Sequence, residues 1–214
     1  MINFLHITNG EFLKKHLLNK FNINSIPFNE AMMSGNTINT IFSDEFINFR
    51  SKQLNVSSDT YYSKIKDIIL LKDKVNEYDI IYLYFGLDTF CQINLLTLLA
   101  YLEQINYKNK LVLNIVDDYT NEIITKDINI QLNGYINLYN EILIKRNKVN
   151  SLKVINEYAI ELYFDYLSSD GMLAKLIKEN RNKSKEELVI LLLANSKDYG
   201  LSDLQAIDLI NKYY

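Results

Sequence analysis

The stretch that most constrains this chain is DIIYLYFGLDTFCQINLLTLLAYL, residues 79–102. Within it, Ile80-Ile81-Tyr82-Leu83-Tyr84-Phe85 runs apolar without alternating. A strand of that kind is covered on both faces, as in a parallel sheet. Gly86-Leu87 leaves room only for a tight turn, and Asp88 is placed to cap a helix. That helix, expected over 88–105, carries Phe90, Ile93, Leu95, Leu96, Leu98, Leu99 and Leu102, a stripe broad enough for deep burial. In an α/β sheet, ligands usually sit where such a strand's carboxyl end faces the next helix's first turn.

The remaining segments arrange themselves around that unit. Ile2 to Thr8 is a strand-like run ended by Asn9-Gly10, and a helix with Leu13 and Leu17 on one face follows. A short strand is expected near 24–27, with Pro27 at its end. Residues 28–37 read as a polar loop containing Gly35. Ser43 caps a helix through Phe46, Phe49 and Leu54, and Ser58-Asp59 caps another through Tyr62, Ile65, Ile68 and Ile69. Lys110–Val116 is a further apolar strand, ended by Asp117-Asp118. Strands alternating with helices predict a three-layer Rossmann- or flavodoxin-like α/β domain with a mainly parallel sheet over residues 1–120.

Beyond that point the texture changes. Residues 119–135 are polar, a linker or an edge hairpin. Helical spacing then covers 136–147, 151–167 with Ser151 as cap, and a short piece after Gly171. Ser184-Lys185-Glu186-Glu187 is a capping box, and Ser202 caps Asp203–Tyr213. The expectation for 121–214 is an all-helical domain.

Composition narrows the function classes. The 214 residues are 48% apolar and 23% charged, a globular balance. A net charge of −3 gives no basic footprint, which counts against a nucleic-acid binder. The single Cys91 permits no internal disulfide and points to a reducing compartment. The opening MINFLHITNG lacks the basic start and long apolar core of a secretion signal. No apolar run approaches the ~20 residues that span a bilayer. The expected location is cytoplasmic, with no membrane partner.

Glu11, Glu30, Asp88, Asp117 and Asp118 all fall at or just after expected strand ends, so parallel strands would gather them on one edge. Oxygen ligands without a Cys/His cluster suit Mg²⁺ as cofactor. Arg50 is the natural anion-binding counterpart. Asp88 is first a helix cap, and Gln92 lies one turn later on its face. His6 reads either as a hydrogen-bonded core histidine or as an acid/base. Asn9-Gly10 is turn chemistry that can also present N–H groups to a ligand. TNGEFL lacks the glycine spacing of a dinucleotide fingerprint, and no Walker sequence occurs.

Four segments, FLHITNGEFLKKHL, IPFNEAMMSGNT, FINFRSKQL and YDIIYLYFGLDTFCQINLLTLL, together resemble an uncharacterised bacterial family, domain of unknown function eighteen-thirty-five. That family is built around H-x-T-N-G-D, a W-x-D-x-L-x-x-G-P segment, an arginine, and W-F-E-H-D-L-F-C-Q-L-N-L-L. The closing GLSDLQAIDLI is similar to the end of its helical companion domain. The resemblance implies site roles for His6, Asn9, Gly10, Glu30, Gly35, Arg50, Asp88 and Gln92. Glu11 replaces the family's Asp, Asn36 its Pro, and Gly86-Leu87 its Glu-His or Glu-Tyr. If that lost pair is catalytic in the family, the resemblance implies that this chain binds without turnover or uses other groups.

The expected function is therefore a small-molecule site at the carboxyl edge of the sheet, for a phosphate-bearing or nucleotide-like ligand. His6, Glu30 and Asp88 are its catalytic candidates; Asn9, Gly10, Glu11, Arg50 and Gln92 are its binding candidates. Two alternatives stay open. Residues 184–213 have the outline of a helix-turn-helix regulator, although Asp203 and Asp208 oppose phosphate. Sixteen tyrosines and an amphipathic C-terminal half also fit a non-catalytic interaction module or a homo-oligomer.

Overall fold

The computed structural model describes residues 2–214 as a mixed α/β protein. Strand β1 (Phe4–Thr8) leads into helix α1 (Gly10–Phe21), then β2 (Ile26–Pro27), α2 (Asp44–Gln53) and α3 (Ser58–Ile69). Next come β3 (Ile80–Phe85), α4 (Thr89–Gln104), β4 (Lys110–Val116) and β5 (Ile123–Ile130). The chain ends with α5 (Tyr135–Tyr139), a π-helical turn (Asn140–Ile144), α6 (Glu157–Leu167), α7 (Met172–Glu179), α8 (Lys185–Asn195) and α9 (Asp203–Tyr213).

The strands form one sheet in the order β2-β1-β3-β4-β5. The first four are parallel and β5 is antiparallel to β4. From β1 the chain crosses to β2 on one side and then to β3 on the other, so the order reverses between β1 and β3. Crevices at such a reversal open at the carboxyl ends of the strands.

Alternation along the strands divides the core. Ile7, Ile81, Leu83 and Phe85 face the large cluster, which continues through α4 into the C-terminal helices as far as Tyr213. Tyr84 and Val116 face the other side, against Leu13 and Leu17 of α1. Helix α4 is enclosed almost all round: Leu95, Leu96, Leu98 and Leu99 are each 0% exposed. Burial of each such side chain contributes roughly 1.5–3 kcal/mol. Thr89, Gln92, Asn94 and Thr97 are buried as well, and each has a partner; the Thr97 hydroxyl, for example, donates to the Ile93 carbonyl.

Several boundaries differ from expectation. Strand β5 lies past residue 120, so the stretch expected to be helical begins with the edge strand of the sheet, the hairpin alternative. Ser57, not Ser58, caps α3. Helix α6 starts at Glu157 with Asn156 as its cap, not at Ser151. The reason is long-range: the Asn156 N–H donates to the Gln92 side chain, which holds the preceding residues in a turn with Lys153 at φ 56°. The caps at Ser43, Ser184 and Ser202 are present, the last two as full capping boxes. No helix among the described residues is long and apolar enough to cross a membrane.

Candidate functional site

Helix α4 begins where the loops after β1, β2, β3 and β4 meet, and its polar residues tie them together. Asn94, buried in the apolar stripe, donates to the Asn9 side chain (3.0 Å) and to the Glu30 carbonyl (2.7 Å). Its own Oδ1 accepts from the Met32 N–H. Gln92 donates to the Gly86 carbonyl at 2.6 Å and accepts from Asn156 at 2.9 Å. Thr89 donates to the carbonyls of Ala159 and Asp198. Gln92, an expected ligand-binding residue, is thus fully occupied in joining the turn after β3 to the C-terminal helices.

Glu30 and Arg50 form a buried ion pair, 3% and 0% exposed. Arg50 Nη2 donates to Glu30 Oε1 at 2.6 Å, and Nε donates to the same oxygen at 3.2 Å. The remaining donors go to the carbonyls of Ala31 (3.0 Å), Ser34 (2.7 Å) and Asn36 (2.8 Å). Every N–H of the guanidinium is used. The Tyr61 hydroxyl donates to the other Glu30 oxygen. Neither Arg50 nor Glu30 therefore keeps a free group for an anion or a metal; together they clasp the 28–37 loop. Gly35, at φ 70°, lies against Gln53 and Arg50 in that clasp.

His6 sits elsewhere. It pairs in register with Tyr82 and stacks on that ring at 5.1 Å, with Nδ1 and the Tyr84 hydroxyl 3.1 Å apart. Tyr82 and Tyr84 belong to the face covered by α1, away from the Glu30–Arg50 clasp in the opposite cluster. Burial lowers the His6 pKa, which keeps the ring neutral near pH 7. The expected convergence of His6, Arg50 and Asp88 on one pocket does not occur.

What does converge lies at the starts of α1 and α4. A crevice of about 710 Å³ opens at the carboxyl edge beside β1 and β2. Its lining includes Asn9, Gly10 and Glu11 at the start of α1, Asn29 and Glu30 after β2, Lys64, Lys66 and Asp67 of α3, and Phe90 of α4. Asn is a strong helix N-cap residue, yet Asn9 makes no side-chain cap bond to α1. Its Oδ1 accepts from Asn94 and its Nδ2 donates to Cys91 Sγ at 2.8 Å, so both ends of the amide are spent. The N–H groups of the first turn of α1 are left without a side-chain acceptor and keep their partial positive charge. Gly10, at φ 86°, has nothing within 4 Å of a Cβ position, so the backbone itself borders open space. Glu11 is held aside by Lys14 (3.6 Å) and Asn29 (3.3 Å). Neither Lys64 nor Lys66 is ion-paired among the described residues. A smaller depression of about 370 Å³, between the start of β4 and the end of β5, contains none of the expected site residues.

Next to Asn9, Asp88 and Asp118 face each other around Cys91. One ligand atom from each of these side chains lies within 4.8 Å of the others, close enough for a cation to reach more than one of them. Asp88 caps α4 through a 2.6 Å bond from the Cys91 N–H. Asp118 Oδ2 accepts from the N–H groups of Leu87 (3.0 Å) and Asp88 (3.1 Å). Two glycines allow this crowding. A Cβ on Gly86 would fall 1.4 Å from Asp118 Oδ1, and one on Gly200 would fall 2.5 Å from the Asp88 carboxylate. Burial, and then the nearby Asp118, push the Asp88 pKa up to about 6, and burial likewise raises Asp118. Burial and both carboxylates raise the Cys91 thiol, which stays protonated and offers neither thiolate ligand nor nucleophile. The metal-capable donors are thus the two carboxylates. Asp117 is not among them, because its Oδ1 accepts from Tyr119 and Thr120 in a surface turn.

Reasoning from sequence gathered Asp88 and Asp118 on one edge, as the structure has them, but missed Asn94, Lys64 and Lys66. Asn94 carried a signal, as a polar residue inside an unbroken apolar stripe. In α8–α9 the exposed residues of α9 include Asp203 and Asp208. No protein-family model, curated protein or solved structure matches the chain.

Proposed function

We propose that the chain binds a small phosphate-bearing, nucleotide-like ligand in the crevice at the carboxyl edge of its sheet. The observation that carries this reading is the diversion of Asn9. A residue suited to cap α1 is turned away by Asn94 and Cys91, and the helix start lines a crevice that also carries two unpaired lysines, with Asp67 beside them. Helix N-termini with free N–H groups favour phosphate, and Lys64 and Lys66 add charge. Phe90 supplies apolar surface for a ring. The strand order and the two apolar clusters support the finer fold reading, a three-layer flavodoxin-like domain with a helical companion at this edge.

Mg²⁺ is the cation in this reading, drawing on Asp88 and Asp118, whose mutual repulsion it would relieve. The test is a thermal-shift series of nucleoside mono-, di- and triphosphates with and without MgCl₂, on the wild type and on Lys64→Ala/Lys66→Ala. The expected result is stabilisation that rises with phosphate number and is lost in the double variant. Identical melting curves across the series would sink the idea.

A further inference from the structure

Three carboxylates line the crevice beside β1 and β2, and two of them are already matched. Glu30 is held by Arg50 and by the Tyr61 hydroxyl. Glu11 lies 3.6 Å from the Lys14 ammonium and accepts from the Asn29 amide at 3.3 Å. Asp67 is different. It lines the same crevice from α3, is exposed, and has no ion-pair partner among the described residues. The neighbouring donors are turned elsewhere. Asn29 Nδ2 is shared between Glu11 and the Lys64 carbonyl, and the Ser63 hydroxyl donates to the Thr60 carbonyl.

A carboxylate repels phosphate, and a repulsive element inside a site fixes the ligand's orientation as much as an attractive one does. Phosphate is favoured at the start of α1 and at the lysines, and opposed at Asp67. What Asp67 takes is therefore a neutral part of the ligand that offers hydrogens, because a carboxylate only accepts, through two oxygens side by side. Two vicinal hydroxyls match those two oxygens. Position then selects which part of the ligand this is. Lys64 and Asp67 stand three residues apart on α3, neighbours on one face with roughly 5–6 Å between their Cβ atoms. In a nucleotide the sugar is joined directly to the phosphate, and the base edge lies beyond the sugar. With a phosphate on Lys64, the group that meets Asp67 is the sugar.

Resting on the crevice reading above, we propose that Asp67 holds the ribose of a free ribonucleotide by accepting from its 2′- and 3′-hydroxyls, and that it makes the crevice prefer ribo- over deoxyribonucleotides. The lysines and the helix start then supply affinity for the phosphates, and Asp67 supplies the choice of sugar.

The test is calorimetric titration of the full chain with ADP, GDP, their 2′-deoxy counterparts and inorganic pyrophosphate, all with MgCl₂. The deoxynucleotides should bind wild type about tenfold more weakly, the size expected for one lost hydrogen bond to a charged group. Asp67→Ala should bring the two sugars to equal affinity, and Asp67→Asn should shrink the preference. Pyrophosphate, which has no sugar, should bind Asp67→Ala at least as tightly as wild type, since a like charge is gone. Asp67 is exposed and unpaired, so melting without ligand should be the same in all three proteins; if Asp67→Ala melts lower, Asp67→Asn decides. Equal binding of both sugars by wild type, or a preference that persists in Asp67→Ala, overturns the assignment. So does a difference between adenine and guanine that disappears in Asp67→Ala without any sugar preference, which would put the base edge there instead. Each of these outcomes leaves lysine-dependent binding and the crevice reading standing, whereas wild type that binds none of the probes overturns both.

Discussion

Glu30 and Asp88 follow β2 and β3, the strands on either side of β1, at the same edge of the sheet, yet their surroundings treat the charge in opposite ways. Glu30 meets a guanidinium with matched geometry and a tyrosine hydroxyl, and both of its oxygens are occupied. Asp88 meets a second carboxylate, Asp118, and a thiol kept protonated. The first arrangement resolves its electrostatics inside the protein and serves architecture. The second leaves like charges side by side, walled by two glycines, and its resolution needs a proton or a cation from outside. Unrelieved electrostatic crowding of that kind clusters at functional sites. Being acidic and placed at a strand end therefore does not identify a site; the balance of partners does.

Breaking the Glu30–Arg50 side should have the largest effect. Arg50→Ala leaves a buried uncompensated carboxylate and orphans three carbonyls, and should cost about 3–5 kcal/mol by urea denaturation. The paired change Glu30→Gln/Arg50→Met should cost much less than the sum of the two single changes, because no buried charge is left unmatched. Purely additive losses would remove the clasp from this account. On the Asp88 side, Gly86→Ala forces the Asp118 carboxylate out of its place and should cost about 1–3 kcal/mol. Combined with Asp118→Ala, the glycine change should become nearly silent, since the atom it strikes is gone. A loss that persists in the double variant would mean that the Gly86 backbone, not the carboxylate, sets the constraint.

How much of this was legible in the residues differs between frame and site. The unbroken apolar run 80–85 and the capping residues at Ser43, Ser184 and Ser202 carry local information, and the elements form where that information puts them. The start of α6 does not, because Gln92 reaches across from α4 to fix Asn156. Within the site, the alternation FLHIT already puts His6 on a face with Phe4 and Thr8, opposite Leu5 and Ile7. Which face α1 would cover, however, depends on the crossover. Arg50 was readable as buried, since Phe46 and Ile47 stand one turn before it on the same helix face. Its four acceptor atoms were not readable, because three of them are backbone carbonyls of a loop whose path no spacing rule gives.

Removing the charge at Asp88 should sharpen the contrast by stabilising the protein. Asn caps a helix about as well as Asp, so Asp88→Asn keeps the bond from Cys91 and deletes the repulsion with Asp118. Because the folded-state pKa of Asp88 is raised from 3.8 to about 6, the folded chain holds a proton the unfolded chain has lost in that range. Wild-type stability should therefore fall as pH rises from about 4 to about 6, by about 3 kcal/mol, and stay low above it. Asp88→Asn should flatten that slope and melt higher than wild type at pH 7.5. A wild-type slope of the opposite sign would mean that Asp88 is stabilised as the anion, and the contrast with Glu30 would vanish.

The smallest effect on stability belongs to Lys64 and Lys66, and it is the most telling about use. Both are exposed on α3 and unpaired, and nothing in the fold rests on their charge. Lys64→Ala/Lys66→Ala should shift unfolding by no more than about 0.5 kcal/mol. The same change should abolish stabilisation by phosphate-bearing ligands at the start of α1. Stability and binding thus separate across the edge of the sheet. Arg50 supports the fold with no donor to spare for a ligand, whereas the lysines serve the ligand and leave the fold indifferent. A double variant that unfolds as easily as Arg50→Ala would show the lysines to be structural, and the crevice would lose its reason for being basic on that side.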